Sequence, residues 1–248
     1  MIDKHTLAIV NIIGGSFDML GSLYLAYDLL GGKHGPLRLL TRMVTYSIFF
    51  GIGYGFGLGL FFGLASGIAT GMTLSIEFNR AARGLDHYSL PWEALFSALR
   101  GFAFGAGLYR FLGLEFALAF GILITVGQVI GYSRGMRPAL DYVASRRPRL
   151  SRRLFWGTVI RTVGYIVTAI VCSALVHRVD HAWTFAMRVG LVTGLVTGVG
   201  ATVYPFIEFY TDNLPERRLG ALGIGLMLCG FAMQSLQYWL ALLNVQPK

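Results

Sequence analysis

The sequence predicts an all-α, polytopic integral membrane protein of about eight transmembrane helices, and three observations predict it. Apolar stretches of about 20 residues recur from Ala8 to Leu243, each long enough to cross a hydrocarbon core about 30 Å thick. Hydrophobic residues make up 55% of the chain and charged residues only 13%, half the share of a soluble domain. Finally, Gly51, Gly55, Gly59, Gly63, Gly67 and Gly71 recur every fourth residue within one apolar run. Glycine costs roughly 1 kcal/mol per helical position relative to alanine, so water gives little reason to build such a line. Lipid does, because helices there associate through close contact along small-residue faces.

The first apolar stretch, Leu7 to Gly31, is too long for a signal peptide and carries Asp18 and Asp28. No small-residue cleavage site follows it, so it is expected to stay as the first membrane helix. Residues 1–248 then read as a single transmembrane domain with internal repeats at approximately 36–80, 91–134 and 154–210. Arg42 and Tyr46 in the first unit match Arg161 and Tyr165 in the third, and Arg100 and Phe104 keep the pattern in the second. Gly63, Gly67 and Gly71 match Gly190, Gly194 and Gly198, and each match runs on to Ile-Glu-Phe, at Glu77 and at Glu208. An offset of 58 residues carries both Arg42 onto Arg100 and Gly63 onto Gly121.

A unit of this length is too long for one crossing and suits two helices joined by a tight turn. The turns are expected near Gly55 to Gly59, near Phe111 to Gly113 and at His177 to His181. Pro36 and Pro91 stand just inside helix starts, where a missing N–H costs nothing. The stretch Arg217 to Leu243 supplies the last helix. Eight crossings result: three parallel hairpins, one N-terminal helix and one C-terminal helix.

Basic residues orient the bundle. Lys33, Arg38, Arg42, Arg80, Arg83, seven Arg between Arg134 and Arg153, Arg217 and Arg218 all fall at one side of an eight-helix arrangement, whereas the opposite turns hold Arg110 and Arg178. The positive-inside rule makes the basic side cytoplasmic, in a bacterial-type inner (plasma) membrane, and puts both termini outside the cytoplasm. The loop Arg134 to Arg153 has one acid, Asp141, and meets anionic lipid headgroups most simply; a membrane or cytoplasmic protein partner is the second reading, and no nucleic acid is expected.

Few residues carry chemistry. Arg42, Arg100 and Arg161 lie about two turns inside the first helix of each hairpin, where they either snorkel to headgroups or form a ring that holds a carboxylate, phosphate or lipid headgroup. Glu77 and Glu208 end second helices, against the helix dipole, and call for cationic partners as structural or gating ion pairs; Arg42 and Arg161 are the nearest candidates. Asp18 is the acid deepest in an apolar stretch, where an ionised carboxylate costs roughly 2.5 to 3.5 kcal/mol unless it faces the bundle or water, so it joins the arginines as a candidate binding residue. His177, Asp180 and His181 fit a solvated turn rather than a metal site. No nucleophile with its base, zinc-protease motif or phosphate loop is present, so neither a cofactor nor a catalytic role is expected. Cys172 and Cys229 read as small core residues.

The expectation is a transport protein, a channel or carrier for a small anionic solute or a lipid. The alternative is a non-catalytic scaffold or partner subunit assembling through glycine-rich faces. Polar residues facing a common interior favour the first; glycine lines facing lipid favour the second.

Overall fold

The structure is a computed structural model that describes residues 4–30, 37–82, 90–134, 152–176, 179–213 and 216–242. Among these the chain is all-helical: α1 (Lys4–Leu29), α2 (Arg38–Leu58), α3 (Leu60–Ala82), α4 (Leu90–Ser133), α5 (Arg152–Leu175), α6 (Val179–Asn213) and α7 (Glu216–Leu242). Among the described residues, five stretches are long and apolar enough to cross a bilayer: Thr6–Leu29, Leu60–Arg80, Pro91–Ser133, Phe155–Leu175 and Arg218–Leu240. This marks a multi-pass membrane protein.

The outer surface agrees. Leu64, Ile68 and Met72 on α3, Leu118, Ile122 and Val126 on α4, and Leu191, Leu195 and Val199 on α6 are all exposed, four residues apart. Apolar ridges of this extent are costly in water and natural against acyl chains. Trp92, Trp156 and Trp239 are also exposed. Cys172 is buried, whereas Cys229 is exposed on α7, a correction to its reading as a core residue.

Two glycines break the helices. Gly59, at φ 96°, separates α2 from α3. Gly113, at φ 81° and ψ 174°, interrupts α4. A straight helix of 44 residues would run about 66 Å, twice the hydrocarbon core, so the interruption lets α4 fold back within one bilayer thickness. Positive φ is open to glycine without a Cβ clash, which is why a single residue suffices at each turn.

The glycine line is therefore folded onto itself. A Cβ at Gly63 would lie 2.5 Å from the Gly51 carbonyl oxygen and 2.7 Å from Gly55 Cα, and one at Gly67 would lie 2.6 Å from Gly51 Cα. The two halves of α4 meet in the same way, with Gly105 against Ala117 O at 2.6 Å and Gly121 against Gly101 O at 2.8 Å. So do α5 and α6, where a Cβ at Gly190 would lie 2.7 Å from Ile166 Cα and one at Gly194 2.8 Å from Thr162 Cα. Threonines tie these contacts: Thr158 Oγ1 donates to Gly198 O and Thr162 Oγ1 to Gly194 O, both at 3.1 Å.

The chain divides into two compact units. Residues 42–210 form the larger and residues 1–41 with 211–248 the smaller. In the larger unit the three helix pairs close a ring. Gly107 on α4 seats Phe62 of α3, Gln128 on α4 donates to Tyr165 of α5 at 3.0 Å, and Arg188 on α6 donates to the Gly57 carbonyl of α2 at 3.0 Å. Aromatic rings fill the centre. Tyr54 stacks on Phe50 at 5.6 Å and meets Phe62 and Phe104 edge-on, while Tyr204 packs on Tyr46 at 4.4 Å. In the smaller unit α1 lies antiparallel to α7, Gly14 facing Gly230 and Gly21 facing Gly223.

Candidate functional site: a polar cavity among aromatic rings

Arg100 sits on the first half of α4 and is 5% exposed. Its side chain turns back toward the helix N-terminus, as long helical side chains do, and Nε donates to the Phe96 carbonyl at 3.3 Å. Nη2 donates to Glu77 Oε1 at 2.5 Å and Nη1 to the Tyr132 hydroxyl at 2.7 Å. Tyr132 in turn donates to Glu77 Oε2 at 3.2 Å. The triangle satisfies both carboxylate oxygens, which is what a buried ion pair needs to offset desolvation. It joins α3 to both halves of α4.

This corrects one expectation. Glu77 pairs with Arg100 of the neighbouring helix pair, where the sequence pointed to Arg42 within its own. The reason is register. Gly59 and Gly113 turn equivalent hairpins and stand 54 residues apart, whereas Arg42 and Arg100 stand 58 apart. The difference is one helical turn. Helix packing thus aligns Arg100 with Tyr46, not Arg42: Gly101, the residue after Arg100, meets Gly121, and Ser47, the residue after Tyr46, meets Gly67. Arg161 precedes Thr162, which meets Gly194, and so takes the Arg100 place in its own pair.

Beside the triangle lies a cavity of about 40 Å³ lined by residues of all the helices of the ring. Arg100, Gln128 and Tyr132 come from α4, Arg161 and Tyr165 from α5, Thr197 and Tyr204 from α6, Tyr54 from α2 and Thr70 from α3. Phe50, Leu74 and Phe104 are apolar parts of its wall, and no carboxylate is among the described lining residues. Such a space admits roughly three water molecules. Several lining groups are already engaged: Tyr54 and Thr197 share a hydrogen bond of 2.8 Å, and Tyr165 accepts from Gln128. The Tyr204 hydroxyl is different, being wholly buried with no hydrogen-bond partner.

The remaining candidates are not among the described lining residues. Arg42 is buried, 5% exposed, and is not among the cavity's lining residues. Glu208 lies on α6 with its side chain outside the described residues. So do the side chains of His177, Asp180 and His181, and most of the basic loop from Arg134 to Arg153. Asp18 belongs to the smaller unit, where Gln234 Nε2 donates to its Oδ2 at 2.7 Å and Asn11 donates to Gln237 at 3.0 Å one layer away. The polar residues of α1 and α7 thus bond to each other across the pair, a frequent use of amides and carboxylates between membrane helices.

Sequence reasoning missed the tyrosines. Tyr54, Tyr132, Tyr165 and Tyr204 are spread over four helices and look individually like core or interfacial aromatics. The available signal was four-residue spacing: Tyr46, Phe50 and Tyr54 follow Arg42, and Phe104 and Tyr165 stand four residues beyond Arg100 and Arg161. That stripe is the inward face. Compared with known protein families, with curated proteins and with solved structures, the chain matches none.

Proposed function

We propose that the chain is a membrane transport protein, a channel or carrier for a small anionic solute, in which the ring of three helix pairs from Arg42 to Tyr210 forms the pathway. One observation carries this reading: the apolar bundle keeps a cavity lined by arginines and tyrosines at the place where its three pairs converge. Burying polar groups in the middle of a membrane bundle is expensive, and a structural protein gains nothing from a space there that aromatic side chains could fill. Counting α4 as two segments gives eight crossings. The three pairs then enter in parallel from one side, as repeats about an axis normal to the membrane, with basic loops cytoplasmic and both termini outside. Arg134 to Arg153 would rest on anionic headgroups of an inner membrane.

The scaffold reading draws on Gly127, Gly164 and Gly225, where an added Cβ would meet nothing within 4 Å. The glycines of α3 face the other way, into their own hairpin, which leaves the scaffold reading the weaker of the two.

The test is flux. Purified protein in liposomes is expected to pass small anions faster than protein-free liposomes, and Arg161→Gln, folded by size-exclusion, to lose most of that flux. Liposomes no more permeable than the empty control to anions or to neutral solutes would overturn the transport reading.

A further inference from the structure

We infer that the cavity is a binding site for one compact monovalent anion of the size of chloride, nitrate or formate, held by Arg161, Arg100 and the hydroxyls of Tyr165 and Tyr204. This inference rests on the transport reading of the same ring, and narrows it by excluding lipids, dianions and larger organic acids.

Four observations carry it. The volume, about 40 Å³, takes a few heavy atoms once water is displaced. Sign comes next: two arginines line the cavity, and none of the described lining residues is acidic. The Glu77 carboxylate, the charge that would repel an anion, is turned aside, with one oxygen on Arg100 and the other on Tyr132. Donors decide the chemistry. The Tyr165 hydroxyl accepts from Gln128 Nε2, so its own proton remains available to an acceptor in the cavity.

The last observation is the Tyr204 hydroxyl. It is 0% exposed, lines the cavity and has no partner, and a buried hydroxyl left so costs free energy that a bound acceptor would recover. Two tyrosine hydroxyls and two arginines lining one cavity match an anion that accepts in several directions. A cation finds no carboxylate among the described lining residues. A dianion such as sulfate loses far more hydration on entry, and gluconate exceeds the space.

Arg100 and Arg161 then differ in role. Arg100 is anchored by Glu77 and Tyr132 and offers the cavity its charge. Arg161 lies half-buried in the N-terminal half of α5, its Nη1 turned back toward Gly157, where an added Cβ would stand 3.4 Å away.

Binding is tested apart from transport, by calorimetric titration of detergent-purified protein with sodium nitrate, chloride and formate at constant ionic strength, with sulfate and gluconate as controls. The expected result is saturable one-site binding of the three small anions only. Tyr204→Phe and Tyr165→Phe each remove one hydroxyl and keep the ring; each should weaken binding about tenfold while leaving the unfolding midpoint nearly unchanged. Equal affinity in wild type and both Phe variants overturns the site, because anions on the basic loop would behave so. Gluconate binding as tightly as nitrate overturns it too, as does the absence of any binding. Site-specific binding without flux in liposomes would support the site and sink the transport reading instead.

Discussion

The Arg100 guanidinium meets the Glu77 carboxylate at 2.5 Å in a position where both side chains are buried, 5% and 8% exposed, and Tyr132 closes the triangle. The contact links a residue near the cytoplasmic end of the fourth helix, in the proposed topology, to the last turns of the third. Neither charge has water to fall back on.

Removal of one partner is therefore expected to cost more than removal of both. Glu77→Leu or Arg100→Met alone leaves an uncompensated buried charge, at a cost of about 3 to 5 kcal/mol, whereas the double variant removes the demand along with the bond. Unfolding midpoints in detergent for the four proteins of the cycle give the coupling energy. Additive losses in the double variant would mean that the two charges are separately solvated.

Glycines predict opposite signs at different places. Gly67→Ala puts a Cβ 2.6 Å from Gly51 Cα, and Gly194→Ala puts one 2.8 Å from Thr162 Cα, so backbones must separate and overpacking should cost about 1 to 3 kcal/mol. Gly127→Ala meets nothing within 4 Å and should gain up to about 1 kcal/mol of helix propensity. The comparison needs only thermal unfolding of three variants. A loss at Gly127 as large as at Gly67 would show that a partner covers that outer face.

Topology follows from the turns. In a Cys172→Ala, Cys229→Ala background, single cysteines at Ser89 and Ser145 should be protected from an impermeant thiol reagent in intact cells, and those at Glu115 and Asn244 should be labelled. Glu115 is exposed two residues beyond the Gly113 turn, which makes it the sharper probe. Protection of Glu115→Cys together with Ser89→Cys would put both ends of the first half of α4 on one side and end the eight-crossing arrangement.

Much of this protein is legible without coordinates. Composition and the length of the apolar stretches are properties of the chain itself, and they decide that it is helical and that it belongs in lipid, because unsatisfied backbone groups leave helices as the economical way for such stretches to cross. The four-residue spacing from Gly51 to Gly71 is likewise local, and it announces a close helix contact. What the spacing leaves open is which helix makes that contact. Gly59, within the stretch expected to turn, folds the line back on itself through a positive φ, so the contact is made within one hairpin.

Arg100 and Arg161 were legible as candidates, but the make-up of the site depended on tertiary structure. Sequence similarity aligned Arg42 with Arg100, but each hairpin turns at its own glycine, and a shift of four residues moves a side chain by one turn along the membrane normal. That displacement leaves Arg42 off the cavity, puts Arg100 and Arg161 on it, and gives Glu77 a partner in a different pair. Asp18 was found by its depth, yet its environment is set by Gln234, a residue 216 positions away. Tyrosines on four helices converge only once the ring closes. The chain by itself decided solvent, secondary structure and small-residue contact faces, because those depend on near neighbours; register between hairpins, and with it the chemistry of the cavity, was decided by packing between residues far apart in sequence.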